Sequence, residues 1–329
     1  MDSVDISVLK TLHEWQAHEL PLWVVTVVET YGSSPRPKGA MLALRGDGLA
    51  VGSVSGGCIE DDLVSRAVQG QLLTDRCEVV TYGVTREEAR RFGLPCGGAM
   101  RLVIEPVRNQ VWVAQVLQSI ESRRMVSRTL HLASMQVVLD DASRTDVTSF
   151  DEETLTTVHG PRWRLLIIGA GQTSGYLARM AQALDYHVTV CDPTEEMRQT
   201  WDVPNTDLVS EMPDDAVLGF QVDACTAIVA LSHDPKLDDM ALLEALKSPA
   251  FYVGALGSKA NNAKRRERLA LFDLTAEEIA RLHGPVGLSI GSRTPPEIAV
   301  AILAHLISVR NQMVATAGLI PSINQEVCS

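Results

Sequence analysis

At 329 residues with 46% hydrophobic side chains, the chain exceeds what one core usually organises, so two domains are expected. Lys and Arg number 29 against 41 Asp and Glu, a net charge of −12 with the acids dispersed, which excludes a nucleic-acid surface built on clustered cations. No apolar run approaches the ~20 residues that cross a bilayer, and "MDSVDISVLKTLHEW" lacks the basic and apolar regions of a secretory leader, so a cytoplasmic chain without a membrane partner is expected.

Residues 6–15 have helical periodicity, and "LWVVTVVETY" is a β-branched strand running into the proline-stiffened turn "GSSPRPKG". That turn supplies Ser33 and Arg36, whose guanidinium fork suits a phosphate or carboxylate and equally suits an exposed turn. Strands "AMLAL" and "LAVGSV" flank the hairpin loop "RGDG". In "GSVSGGCIEDDL", Gly56 and Gly57 precede a helix from about Ile59 to Gln69 that Cys58 opens. A thiol there feels the helix dipole, which favours the thiolate, while Glu60 complements the same dipole. Strand "CEVVTY" follows, then "LPCGGAM", with Cys96 ahead of Gly97 and Gly98, and strand "AMRLVIEP". Taken singly, each cysteine reads as a small buried hydrophobe; glycine beside both lets a backbone approach a ligand closely.

Residues 111–158 are expected to hold a helix and one or two strands, with "DDASRTDVTSFDEET" as a polar loop. The boundary then falls between about 141 and 160, separating an α+β domain (1–150) from a second domain (160–329). The six cysteines (Cys58, Cys77, Cys96, Cys191, Cys225, Cys328) form no C-x-x-C pair, which gives no zinc signature and fits a reducing compartment. Cys77, Cys191 and Cys225 lie in apolar strands and read as packing residues.

From Arg162, "RWRLLIIGAGQTSGYLARMAQALDYHVTVCDP" reads strand, glycine turn, helix, strand, and "CTAIVALSHD" and "AFYVGALGS" are further buried strands. The pattern predicts a Rossmann-like, doubly wound parallel sheet, so the whole chain is α/β. Gly169 and Gly171 open a G-x-G-x-x-G turn whose third place is Ser174, and Asp192 follows 23 residues after Gly169, where an acid can accept from a ribose hydroxyl. These features specify a phosphate on a helix N-terminus, not nicotinamide. His233 and Asp234 fall at a strand's carboxyl edge, as ligand contacts or as an exposed imidazole beside a helix cap. Gly257 and Ser258 in "GALGSK" read as a capped turn whose amides also suit a ligand. "TPPEIAVAILAHLISVR" is a helix capped by Thr294, Pro295 and Glu297, with Ile298, Ile302, Leu306 and Val309 facing the core and His305 on a helix face.

"GSSPRPKGAMLAL", "GSVSGGCIE" and "CGGAMRLVIEP" resemble the N-terminal domain of the XdhC/CoxI family, and "GAGQTSGYLARMA", "VTVCDP", "LSHDPKLD", "YVGALGSK" and "GPVGLSIGSRTPPEIAVAILA" resemble its Rossmann domain. The resemblance implies an accessory protein that binds the molybdenum cofactor, as molybdopterin or its cytosine dinucleotide. Such a protein holds the cofactor for sulfuration with a cysteine desulfurase and delivers it to an apo molybdenum hydroxylase such as xanthine dehydrogenase. Cys58 and Cys96 would face the molybdenum end, since a dithiolene-bound metal is soft enough to favour thiolate neighbours. Gln172 and Thr194 depart from the His and Arg common in that family, and His305 from an acid. A homodimer stays open. The alternative is an NAD(P)-dependent oxidoreductase, which should bring a general acid or base from its other domain. The first domain offers glycines, cysteines, Arg36 and Glu60, with no histidine near a glycine turn, and this favours the binding chaperone over a turnover enzyme.

Overall fold

The run LWVVTVVETY forms β1 (Leu22–Tyr31), whose first seven residues are all buried because both faces of the strand are covered. Its period of two divides the residues between two layers. Leu22 and Val24 pack with Val8, Leu9 and Leu12 of α1 (Val4–Trp15), while Trp23, Val25 and Val27 pack with Ile59, Leu63 and Ala67 of α2 (Cys58–Val68). Around β1 an antiparallel sheet runs in the order β3-β2-β1-β5-β4, from β2 (Met41–Arg45), β3 (Ala50–Gly52), β4 (Glu78–Tyr82) and β5 (Ala99–Pro106). In this computed structural model the described residues are 4–31, 36–83, 92, 99–107, 110–143, 146–232 and 234–316.

The segment after α3 (Val111–Glu121) departs from expectation. In place of one or two strands and a polar loop, four strands form an antiparallel sheet ordered β7-β6-β9-β8: β6 (Val126–His131), β7 (Gln136–Asp141), β8 (Ser149–Phe150) and β9 (Thr154–His159). The inward positions of β6 and β9 include Arg128, Thr157 and His159, so the hydrophobic alternation that betrays a strand is broken by polar residues. Arg128 is neutralised by an ion pair to the buried Glu105 of β5 and lies 3.8 Å over the Trp112 ring. Burial holds the His159 pKa down at about 3, with the nearby Arg128 charge acting the same way. Because β9 pairs with β6, the first compact unit runs to Pro161 and the second begins at Arg162.

The second unit is a six-stranded sheet, parallel throughout, ordered β12-β11-β10-β13-β14-β15. Its strands are β10 (Arg164–Ile168), β11 (His187–Cys191), β12 (Asp207–Val209), β13 (Thr226–Ala230), β14 (Tyr252–Ala255) and β15 (Leu282–His283). All five residues of β10 and of β13 are buried, as the interior of a doubly covered parallel sheet requires. Leu177 and Ala178 of α4 (Gln172–Ala183) and Ile302 and Leu306 of α10 (Pro295–Thr316) cover one face. The other face meets Ala216 and Val217 of α6 (Pro213–Gly219), Ala241 and Leu242 of α7 (Pro235–Ala245), and Leu269 of α8 (Lys259–Leu269). Short helices α5 (Glu195–Gln199) and α9 (Ala276–Ala280) complete the connections. At the start of α10, Glu297 accepts the N–H groups of Arg293 (2.7 Å) and Thr294 (3.0 Å), the capping expected from sequence.

His305 is not an open helix-face residue. Its Nδ1 lies 3.0 Å from the Tyr252 hydroxyl, and its ring stands edge-on to His283, which stacks on Tyr252. Burial holds the pKa of both imidazoles down, His283 to about 4, so the pair packs uncharged. Among the described residues no helix is long and apolar enough to cross a membrane.

Candidate functional site

In the first unit the site is built at one end of the five-stranded sheet. Tyr31, the last residue of β1, is in register with Ala99, the first of β5, and Gly52, the last of β3, with Leu42 near the start of β2. Residues 36–40 before β2 and 53–57 after β3 therefore meet this one sheet end, where β5 also begins. Antiparallel pairing thus brings Arg36 of GSSPRPKG beside the GSVSGGC loop, far from it in sequence. Ser33, Cys96, Gly97 and Gly98 themselves lie outside the described residues.

One carboxylate shapes the loop before α2. Glu60 accepts the backbone N–H groups of Val54 (2.9 Å), Ser55 (2.8 Å), Gly56 (2.8 Å) and Gly57 (2.9 Å) and the hydroxyl of Ser53 (2.8 Å), with the Ser55 hydroxyl as a sixth donor. Burial works against its charge, but the hydrogen bonds from Ser55, Gly56 and Gly57 outweigh burial and hold its pKa at about 2. The six donors to the Glu60 oxygens all belong to the loop itself. Arg36 joins the assembly through Nε, which donates to the Ser53 hydroxyl at 3.2 Å.

The loop's glycines face outward. Gly56 has φ +85°, a conformation that favours glycine, and a Cβ built at Gly56 or Gly57 would meet nothing within 4 Å. Gly57 is the N-cap of α2, and the Cys58 thiol that follows is free and exposed. The loop thus presents a strip of backbone without side chains, a thiol at one end and a guanidinium at the other. Cys191 and Cys225 are buried and Cys77 is half-buried, with burial raising Cys77 and Cys191 to about 12 each, which suits packing residues rather than reactive ones.

In the second unit the glycine turn is also held by a carboxylate, with the opposite spatial outcome. Asp192 at the end of β11 is buried; its Oδ2 accepts Ala170 N–H (2.7 Å) and its Oδ1 accepts Thr194 N–H (2.9 Å). The acid expected to accept from a ribose hydroxyl thus also holds its own turn. Gly169, at φ +97°, has no room for a side chain, since a Cβ would lie 2.7 Å from Cα of Ser232. Gly171 N-caps α4, and Ser174, in the third glycine place, is fully buried with its Oγ unpartnered among the described residues.

At the carboxyl edge of β13, Asp234 is the N-cap of α7, accepting Lys236 N–H at 2.9 Å; His233 lies outside the described residues. After β14, Gly257 (φ +137°) leads to Ser258, whose hydroxyl caps α8 by accepting Asn261 N–H at 3.1 Å. Sequence reasoning missed the network that ties these two loops together. Buried Asp238 accepts Ser232 N–H (3.0 Å) and pairs with Arg265 (3.0 Å), which also bonds Asp239 (2.9 Å) and the Leu256 carbonyl (2.9 Å). Burial pushes the Asp238 carboxyl up to about 6 against the pull of Ser232 and Arg265. The only sequence signal is charge spacing, D238-D239 against R265, which has no meaning until the two helices are placed. Among the described residues no group of three or more His, Cys, Asp or Glu side chains is placed to hold a metal ion.

Two family models match the chain: the XdhC and CoxI family over residues 15–83 and the XdhC Rossmann domain over residues 165–306. The chain belongs to the XdhC and CoxI family. Both loops built around Glu60 and Asp192 fall within the matched stretches, whereas the four-stranded sheet falls between them. Among its relatives, the molybdenum cofactor insertion chaperone PaoD of Escherichia coli (strain K12) is 29% identical over 302 residues, covering 91% of this chain and 86% of that protein. A probable xanthine dehydrogenase subunit of Bacillus subtilis (strain 168) is 26% identical over 318 residues, covering 88% of this chain and 93% of the relative. The crystal structure of a xanthine dehydrogenase from Bacillus halodurans superposes with a TM-score of 0.76 at 25% identity, over 95% of this chain and 96% of the other.

Proposed function

We propose that this XdhC/CoxI protein is a molybdenum-cofactor insertion chaperone for a hydroxylase of the xanthine dehydrogenase type, without turnover of its own. The observation that carries the reading is the open backbone strip at Gly56 and Gly57, flanked by exposed Cys58 and by Arg36, in a loop whose amides Glu60 gathers. No neighbouring atom crowds either glycine, and no φ demands one at Gly57, so an external group is what this bare backbone suits. When bound, the cofactor supplies a soft, dithiolene-held metal centre and a phosphate. Cys58 is the neighbour suited to the soft centre and Arg36 to an anionic group, while Cys96 is assigned there on the family resemblance alone. The name of the PaoD relative supports the same class.

The finer reading is that the chain carries molybdopterin or its cytosine dinucleotide while a cysteine desulfurase supplies sulfur, then passes it to the apo-enzyme. Release demands moderate affinity and a transient contact with the acceptor. Denaturing the purified protein, oxidising the extract and measuring pterin fluorescence tests the reading directly. Retained pterin is expected. Absence of pterin together with tight NAD binding and substrate-dependent reduction would replace it with the oxidoreductase.

A further inference from the structure

Basic residues are the minority in this chain, yet α8 carries Lys259, Lys264, Arg265, Arg266 and Arg268 against one acid, Glu267. Packing accounts for part of that charge. Arg265 is locked in the buried network with Asp238, and Arg266 donates to the carbonyls of Leu282 (2.7 Å) and Gly284 (3.3 Å). Arg268 shares Asp239 with Arg265. The Lys264 side chain is exposed and makes no hydrogen bond or ion pair among the described residues.

Asn261, Lys264, Arg265 and Arg268 follow helical spacing and form one wall of a cleft of about 340 Å³, opposite Ser232 and Gly257. The acids at this wall, Asp238 and Asp239, offset two of its three cations, so the cleft keeps a positive excess within an acidic chain. It opens at the carboxyl ends of β13 and β14, the edge where open α/β sheets receive ligands. Ser232, which lines the cleft, also abuts Gly169 of the glycine turn.

We propose that this cleft is an anion site for the phosphate or diphosphate group of a nucleotide-bearing ligand, with Lys264 as its uncommitted cation and Arg268 and Asn261 as donors. The Asp238–Arg265–Asp239 clamp fixes the wall before the anion arrives, which lowers the ordering cost of binding. The ligand's identity as a cofactor dinucleotide rests on the functional reading above; the anion chemistry does not.

Titration calorimetry of the full-length, cofactor-free protein with inorganic pyrophosphate and with cytidine diphosphate tests the site. Because Lys264 has no internal partner among the described residues, its variants leave folding intact. Lys264→Gln should weaken pyrophosphate binding about threefold and Lys264→Glu about tenfold or more, while Lys247→Gln outside the cleft leaves it unchanged. Cytidine diphosphate should bind more tightly than pyrophosphate through the same lysine. Pyrophosphate affinity equal in wild type and Lys264→Glu, or no saturable binding by wild type, would overturn the site; equal affinity for the two anions would overturn the nucleotide-bearing ligand. Protein that lacks pterin yet binds pyrophosphate through Lys264 would remove the cofactor reading and leave the anion site standing.

Discussion

The two glycine loops of this protein use the same device to opposite ends. In each, a carboxylate gathers backbone N–H groups in front of a helix: Glu60 before α2, and Asp192 across the turn before α4. Gly169 in the second loop is pressed against the Ser232 backbone, so its missing side chain is a demand of folding. Gly56 and Gly57 in the first loop face open space; the φ of +85° asks for glycine at Gly56, while neither clash nor φ asks for it at Gly57. A glycine that folding does not need is the better pointer to a ligand, and Gly57 is one, beside an exposed thiol.

The largest expected effect tests the packed side of this contrast. Gly169→Ala puts a Cβ 2.7 Å from Ser232 Cα at a φ of +97°, and should cost about 3 kcal/mol or more, or prevent folding, as read by chemical denaturation. A stability equal to wild type would dissolve the distinction between the loops.

Glu60→Ala comes next. It leaves six donors without their acceptor, several of them able to turn to water, and should cost on the order of 2 kcal/mol with the loss confined to the first unit. The pH dependence sharpens this. A carboxylate held at about 2, below its ordinary 4.5, stabilises the fold fully above pH 4.5 and loses that contribution as pH falls toward 2. The midpoint difference between wild type and Glu60→Gln should therefore narrow across that interval; a constant difference would mean that Glu60 is not the charge holding the loop.

Gly57→Ala probes the open side. Its stability cost should be about 1 kcal/mol, the usual difference between glycine and alanine at an N-cap, while retained pterin drops because the strip is no longer bare. Unchanged pterin would count against the strip as a binding surface. The smallest stability effect belongs to Cys58→Ala, within about 0.5 kcal/mol since the thiol is exposed, with reduced pterin retention and weaker restoration of the apo-hydroxylase. If Cys58→Ala holds pterin as wild type does, the thiol has no part in the site.

Much of this architecture is written in local sequence. The βαβ grammar from Arg162, the apolar runs of β1, β10 and β13, the helix opened by Cys58, and the caps at Ser258 and Glu297 depend on residues within a few positions of one another. Periodicity, glycine and capping chemistry act over that range, so a linear reading captures them. The four-stranded sheet escapes such a reading because its interior is partly polar: Arg128 is buried only because Glu105 and Trp112, on other elements, neutralise and cover it. His305 escapes it for the same reason, its partners Tyr252 and His283 being brought by other strands.

By itself, the sequence determined the order of elements outside residues 122–160, the parallel second sheet and the segments worth suspecting, since these follow from short-range sterics and hydrophobic period. Only the tertiary structure decided what each suspected residue does. Glu60 and Asp192 look alike as acids near glycines, and the fold commits both to backbone amides. Antiparallel pairing of β1, β2 and β3 decides that Arg36 and the loop before α2 share one sheet end. The docking of α7 against α8 turns scattered charges into a buried clamp that leaves Lys264 facing a cleft. Hydrogen bonds, clashes and charge neutralisation act through space over a few ångströms, and chain separation does not encode which groups come that close.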